Sequence, residues 1–405
     1  MKYARKRLLF LCWEVPWPAH SGFALRTMGI IRELAKRYEI TILIMSEKEL
    51  SSDQASELKK YTEKIIRFQL LERSILNGIR VLWSMIRQQA PYHCALLRLS
   101  VQQRQDIQNT IDNFQGIVFT SLGHWGTLIR PGHGRNWILN QCDADIKFWK
   151  VYAANSSNIL RRIVALANYQ FAVRHFPKIY AKVNQIVSVC EEDRAETQLF
   201  APNTLVNVIE NGIDCSYYAP ARVQTAHPPR LLFTGTSAPR NMKALHQFVN
   251  GILPHIRSKI PNVELIVAGN FSQTSQQEFS NVDGIKFTGK VDDIRPFFNM
   301  SDIFIAPFTE THGSKLKISE AMAMGIPIVS TPEGVRGFSV TDGCEVRIAY
   351  SDQQFVNLVI DLLHRADLRT KMGEAGRLFA TSTLDWIVLG RKIQKIVENL
   401  DFGDK

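Results

Sequence analysis

A strand, a glycine-bearing loop, a helix and a second strand follow one another near the start of this chain, and the same alternation restarts beyond residue 230. Residues Arg7–Val15 form an apolar strand, "PWPAHSG" breaks it, "FALRTMGIIRELAKRY" carries apolar residues at helical spacing, and "EITILIM" is again a strand. A βαβ unit of this kind demands a parallel sheet covered by helices. Residues 51–115 read as polar to amphipathic and mostly helical. Further strands follow in "GIVFTSLGHWG", "NWILNQCDADIKFW", "KVNQIVSVCEEDRAETQLF" (strand, then helix) and "VNVIENGID". Residues 216–230 are Pro-rich and aperiodic, and read as a linker. After it come "RLLFTGT", a helix from Asn241, "VELIVAGN", "IKFTG", a helix near Ile294–Met300, "DIFIAPF", and a helix and strand in "THGSKLKISEAMAMGIPIVST". A chain of 405 residues exceeds one ordinary core. The expected fold class is therefore α/β, with two doubly wound domains over 1–215 and 231–388 facing across a cleft.

The charge balance narrows the partners. Lys and Arg number 49 against 38 Asp and Glu, a net charge of +11. That favours an anionic partner, such as a phosphorylated substrate or an acidic membrane face, with plain solubility as the other reading. No basic-aromatic tract points to nucleic acid. Six cysteines lie far apart without a C-x-x-C pair, as reduced thiols in a cytosolic protein do. The start imitates a signal peptide, but Leu8–Trp13 is too short an apolar run and Glu14 and Pro16 close it. No apolar stretch approaches the length of a membrane span.

The segment Thr311–Thr331 concentrates the candidate chemistry. A helix starting near Ser314 presents free N–H groups and a partial positive charge to an anion. Lys317 falls in its first turn, and Glu320 three residues later shares its face. The lysine suits a diphosphate, whereas the glutamate suits neighbouring hydroxyls; a surface Lys–Glu pair is the plain alternative. Ala321, Ala323 and Gly325 read as close helix–sheet packing, and Met322 and Met324 as core. Gly22 lets backbone approach a ligand or merely makes a turn. His124, between glycines at a strand end, is a ligand-facing or a structural histidine. Asp143 and Asp145 form a D-x-D pair, Asp143 being read as an acceptor-side or structural acid and not as a metal ligand. Asp292 and Asp293 read as caps of the following helix. The amphipathic segment Ser74–Arg87 fits either an anionic membrane surface or ordinary core packing.

Four stretches in order resemble one family. "PWPAHSGFALRTMGIIREL", "VIENGID" with Tyr218 and Pro220, "LLFTGTSAPRNMKAL" and "GSKLKISEAMAMGIPIVST" are similar to the motifs of GT-B glycosyltransferases, retaining family 4, in the branch that builds bacterial polysaccharides. The resemblance implies two Rossmann-like domains, 1–215 for the acceptor and 231–388 for the nucleotide-sugar, with a helix at 389–405 packing back on the first. It implies a nucleotide-diphosphate sugar as donor, a saccharide or lipid-linked acceptor, and no metal or cofactor. Glu320 would accept hydrogen bonds from the ribose. Arg240, Lys243 and Lys317 would face the diphosphate with Gly22 and Gly235, and backbone at Lys290 and Val291 would meet the base. His312, Gly313, Ser314 and Ile318 would complete the donor loop, and His124 would approach the transferred sugar, making His124, Lys317 and Glu320 the catalytic set. His312 stands where the family often has a second glutamate; Gly313 and Lys317 fit the version that lacks it. A cytoplasmic enzyme at the inner face of a membrane follows. A GT-B protein that binds nucleotide-sugar without transferring it, or an epimerase, is the alternative, while a dehydrogenase is disfavoured because no G-x-G-x-x-G follows the first strand.

Overall fold

The computed structural model describes residues 6–18, 21–71, 83, 85–87, 90–91, 99–121, 136–142, 145–155, 158–221, 227–309 and 316–400. The chain divides into two compact units: Met1–Glu210 together with Leu389–Lys405, and Asn211–Val388.

The first unit is built on a seven-stranded parallel sheet: β1 (Arg7–Cys12), β2 (Glu39–Ser46), β3 (Lys64–Gln69), β4 (Ile117–Thr120), β5 (Asn136–Asn140), β6 (Gln185–Ser188) and β7 (Leu205–Val208). They lie in the order β3-β2-β1-β4-β5-β6-β7. Helices α1 (Gly22–Leu34), α2 (Ser52–Lys59), α3 (Val101–Asn113), α4 (Asp145–Asn155), α5 (Ile159–Tyr180) and α6 (Glu191–Phe200) connect them. The central strands are buried on both faces: Leu8 through Cys12 are all inaccessible, which is why the segment reads as one apolar run rather than an alternation. The strand Arg7–Val15 expected from sequence ends at Cys12, where the chain bends towards Glu14. Ser21 caps α1, its Oγ accepting from Ala24 N at 3.0 Å.

One further departure in this unit has a physical reason. Residues 51–115 were expected to be mostly helical, yet "KIIRFQ" is β3, an edge strand with one neighbour and half-exposed side chains; such a strand has little apolar signature. Of the segment Ser74–Arg87, only Trp83 and 85–87 are described. Met85 is buried, Trp83 and Ile86 are exposed, and the Arg87 guanidinium stands 5.5 Å from the Trp83 ring centroid.

The second unit holds a six-stranded parallel sheet: β8 (Arg230–Thr234), β9 (Glu264–Ala268), β10 (Ile285–Phe287), β11 (Ile303–Ala306), β12 (Ile328–Ser330) and β13 (Arg347–Ile348). Their order is β10-β9-β8-β11-β12-β13. Its helices are α7 (Pro239–Gln247), α8 (Leu253–Arg257), α9 (Gln273–Gln277), α10 (Arg295–Asn299), α11 (Leu316–Ala323), α12 (Asp352–His364) and α13 (Ala366–Phe379). α7 starts two residues before the expected Asn241, because Pro239 is preset for a first helical turn. The helix expected near Ser314 is described from Leu316.

The last helix, α14 (Trp386–Glu398), runs across the boundary between the units' sequences. From Leu389 on it is part of the first unit. Leu389, Ile393 and Val397 are buried there, Gln394 Nε2 donates to the Glu33 carbonyl at 3.3 Å, and a side chain at Gly390 would meet Glu33 Cγ at 2.6 Å.

Met322 and Met324 are core, and Ala321 and Ala323 are inaccessible. Gly325, however, does not serve helix–sheet contact. Its φ is 64°, and its carbonyl oxygen lies 2.1 Å from where a Cβ on Gly373 of α13 would stand. The close approach joins the end of α11 to another helix. Gly373→Ala is therefore expected to destabilise the second unit by about 1–3 kcal/mol through overpacking, read as a lower urea midpoint; an unchanged midpoint would show that the helices part without loss.

Candidate functional site

β8 and β11 are the neighbours at which the second sheet's order reverses. In an open parallel sheet the loops leaving two such strands diverge, and ligands settle beyond their C-terminal ends. The loop after β8 begins at Gly235 and leads to α7; the segment after β11 leads to α11.

Lys317, in the first turn of α11, reaches back to the end of β8. Its Nζ donates to the Thr234 carbonyl at 2.5 Å and to Asn241 Oδ1 at 3.1 Å. The ring centroids of Phe308 and Phe233 lie 4.8 and 5.1 Å from the ammonium, which rests on two aromatic faces. Asn241 is fixed in turn by donating to the Thr236 carbonyl at 3.0 Å. A Cβ on Gly235 would stand 3.0 Å from Asn241 Nδ2 and 3.3 Å from Lys317 Nζ. Glycine there leaves the ammonium its room.

Glu320 lies one turn further along α11. Its Oε1 accepts the Tyr218 hydroxyl at 3.2 Å. Burial pushes the Glu320 carboxyl above its ordinary value, while Lys317 and the Tyr218 hydroxyl pull it back. The Tyr218 phenol is raised by burial and by Glu320, and so remains a donor. One guanidinium braces this pair: Arg377 donates to the carbonyls of Tyr218, Ala323 and Cys215. Tyr217 lies beneath Arg295, 3.9 Å from ring centroid to guanidinium carbon, and Arg295 is held by Asp293 at 2.7 Å. The result is a cation at a strand end with an acceptor-only carboxylate one turn away, which suits a ligand that carries an anion next to hydroxyls.

Other predicted residues are placed as follows. Gly235, Lys317 and Glu320 come together at this edge. Arg240 and Lys243 are exposed on α7, the helix that Gly235 leads into, and neither has an acidic partner among the described residues. The Ile318 side chain is core. Lys290 and Val291 follow β10 at the sheet's far edge, with the Lys290 side chain exposed. Asp293 Oδ1 accepts from Arg295 N at 2.9 Å, although the residue at the N-cap position is Ile294. In the first unit Gly22 opens α1, and a Cβ there would meet nothing within 4 Å. Beside it, Glu14 accepts the Ser21 hydroxyl and is raised by burial. His124, Asp143, His312, Gly313 and Ser314 lie outside the described residues. No cluster of three His, Cys, Asp or Glu suited to a metal ion occurs among the described residues.

Asn241, the Tyr218 hydroxyl and Arg377 had no assigned role in the sequence. Their partners are 76, 102 and 54–162 residues away, and no local spacing announces such contacts.

Residues 228–365 match the family described as "Glycosyl transferases group 1". A phosphatidyl-myo-inositol mannosyltransferase of Propionibacterium freudenreichii subsp. shermanii is 27% identical over 242 residues, 56% of this chain and 59% of that protein. The chain thus aligns with about three fifths of that relative's length. Among solved structures, sucrose-phosphate synthase from Thermosynechococcus elongatus superposes with a TM-score of 0.70 at 13% identity, covering 97% of this chain and 98% of that one. Anabaena HepE in complex with UDP and glucose superposes at 0.64 and 13%, covering 98% and 100%. The fold is that of the two-domain GT-B glycosyltransferases.

Proposed function

We propose that this chain is a retaining glycosyltransferase that moves a sugar from a nucleotide-diphosphate donor to a saccharide or lipid-linked acceptor. The setting is cell-surface polysaccharide synthesis, on the cytoplasmic side at the inner face of the membrane. The observation that carries the reading is the pairing of Lys317, anchored at the end of β8, with Glu320 one turn along the same helix. The matched family, and the UDP named in one structural neighbour, support a nucleotide donor. A relative named for mannosyl transfer to phosphatidyl-myo-inositol supports a lipid-type acceptor.

In this reading the leaving group is a nucleoside diphosphate. Lys317, Arg240 and Lys243 offset its growing negative charge, aided by the N-terminal dipole of α11. Glu320 accepts the ribose hydroxyls, with Tyr218 fixing one carboxylate oxygen and leaving the other lone pairs for ligand. Backbone near Lys290 and Val291 meets the base; Gly22, Gly313, Ser314 and the Ile318 backbone line the donor; His124 and Asp143 serve the sugar and acceptor. The acceptor attacks on the face from which the diphosphate departs. No cofactor or metal ion takes part.

The test is incubation with a panel of nucleotide-sugars and a membrane extract, following nucleoside diphosphate release with and without a chelator. Release from at least one donor, undiminished by chelator, is expected. A folded protein that releases nothing from any donor is not a transferase, and chelator-sensitive release would bring in a metal ion.

A further inference from the structure

α5 is turned inside out at its start. Its buried side consists of Ala165, Asn168, Ala172, Phe176, Ile179 and Tyr180, with only small residues buried until Phe176. The opposite side over its first two turns is aliphatic and open to solvent: Ile159 is 71% exposed, Leu160 68%, Ile163 56%, Val164 51% and Leu166 47%. These positions recur at three- and four-residue spacing, so they form one stripe away from the core. A contiguous apolar surface of this kind marks a binding face.

Charge says what the face meets. From residue 146 to residue 190 the chain has no Asp or Glu but seven Lys and Arg. In the helical rotation Arg161 and Arg162 fall just beyond the two borders of the aliphatic stripe, both exposed and neither paired with a carboxylate among the described residues. Further along α5, Arg174 and Lys178 are exposed as well. Aliphatic side chains on a convex helix, flanked by cations only, match the boundary between acyl chains and anionic headgroups.

We infer that the first two turns of α5 are the surface by which this protein seats on an anionic lipid bilayer. The aliphatic stripe enters the acyl boundary, and Arg161 and Arg162 lie at the phosphates. This rests on the proposed membrane location of the acceptor and gives that location a surface distinct from Ser74–Arg87. Because it concerns lipid alone, it stands or falls apart from sugar transfer.

The full chain is sedimented, without any sugar donor, with vesicles of phosphatidylcholine alone or mixed with phosphatidylglycerol. Binding to the mixed vesicles and not to the neutral ones is expected. Arg161→Ser with Arg162→Ser should weaken binding about fivefold per charge removed, and raised salt should do the same. Ile159→Asp with Ile163→Asp should abolish it. These side chains face solvent, so an unchanged melting curve checks that each variant is folded. No sedimentation with either vesicle, or equal sedimentation of all variants, overturns the inference. So does a lipid-free dimer that the Ile159/Ile163 variant dissolves, which would assign the face to a second copy of the chain. Vesicle binding without sugar release would sink the transferase reading and leave this one intact.

Discussion

In the proposed transfer, Glu320→Gln is expected to lower kcat/KM for the nucleotide-sugar about a hundredfold and, above the folded-state pKa of this carboxyl, to raise the melting temperature of the second unit. The loss of turnover follows from what the carboxylate offers. An ionised carboxylate accepts hydrogen bonds from ligand hydroxyls that are each worth about 1.5–3 kcal/mol. Glutamine keeps one acceptor oxygen for Tyr218 and turns a donor towards hydroxyls that need acceptors, so about 3 kcal/mol of binding energy is lost. The gain in stability follows from the raised carboxyl. Its folded-state pKa lies above the ordinary value of 4.5, with burial the largest cause. The folded protein therefore holds this proton where the unfolded chain has released it. The stability from that proton is complete below the unfolded value and is lost as pH rises through the folded one. Above the folded-state value the wild type carries the desolvation penalty, and the glutamine variant does not. Donor kinetics and calorimetry near pH 4 and above the folded-state value check both halves. A variant with unchanged donor kinetics refutes the ribose role, and one that melts lower than wild type above the folded-state value refutes the penalty.

Arg26→Leu is expected to destabilise the first unit by about 3–5 kcal/mol, because it strips the partners from several buried polar groups at once. Arg26 is 1% exposed. Its Nε donates to Asn140 Oδ1 at 2.8 Å, and one terminal nitrogen donates to the carbonyls of Ile209 at 2.7 Å and Glu210 at 3.1 Å. One side chain thereby ties α1 to the end of β5 and to the segment leaving β7. Burial pushes its guanidinium down to about 10, so it is charged at neutral pH, and these hydrogen bonds hold it. Lysine cannot replace it, since a single ammonium lacks the planar fork that serves a side chain and two carbonyls together. A urea titration of Arg26→Leu and Arg26→Lys reads the effect. Full stability in the leucine variant would mean that the carbonyls find water, and the brace would then be dispensable.

These two residues mark what the sequence makes legible. The βαβ alternation is visible because strands buried on both faces leave unbroken apolar runs, as Leu8–Cys12 and Ile42–Met45 do. The Lys317–Glu320 spacing is visible because it is local to one helix. β3 escapes because an edge strand with half-exposed side chains resembles any amphipathic segment. Arg26 carries no signal of its own in the sequence, and only the fold turns it inwards onto residues 114 and 183 positions away. The Tyr218–Glu320 bond and the Arg377 brace are hidden for the same reason. Gly325 is read correctly as a site of close approach, but which element approaches it is a property of the tertiary structure.

α14 has a consequence for the order in which the protein is made. The second unit is an uninterrupted stretch of chain, whereas the first takes its last piece from beyond Val388. As the chain leaves the ribosome, α1 emerges early, yet the helix that covers Glu33 comes some 350 residues later. The usual sequence, in which the leading domain finishes first, is thus reversed. The second unit has its whole sequence in hand while the first still waits for Leu389, Ile393 and Val397. An incomplete chain therefore leaves Glu33 of α1 without its covering helix throughout the synthesis of the second unit.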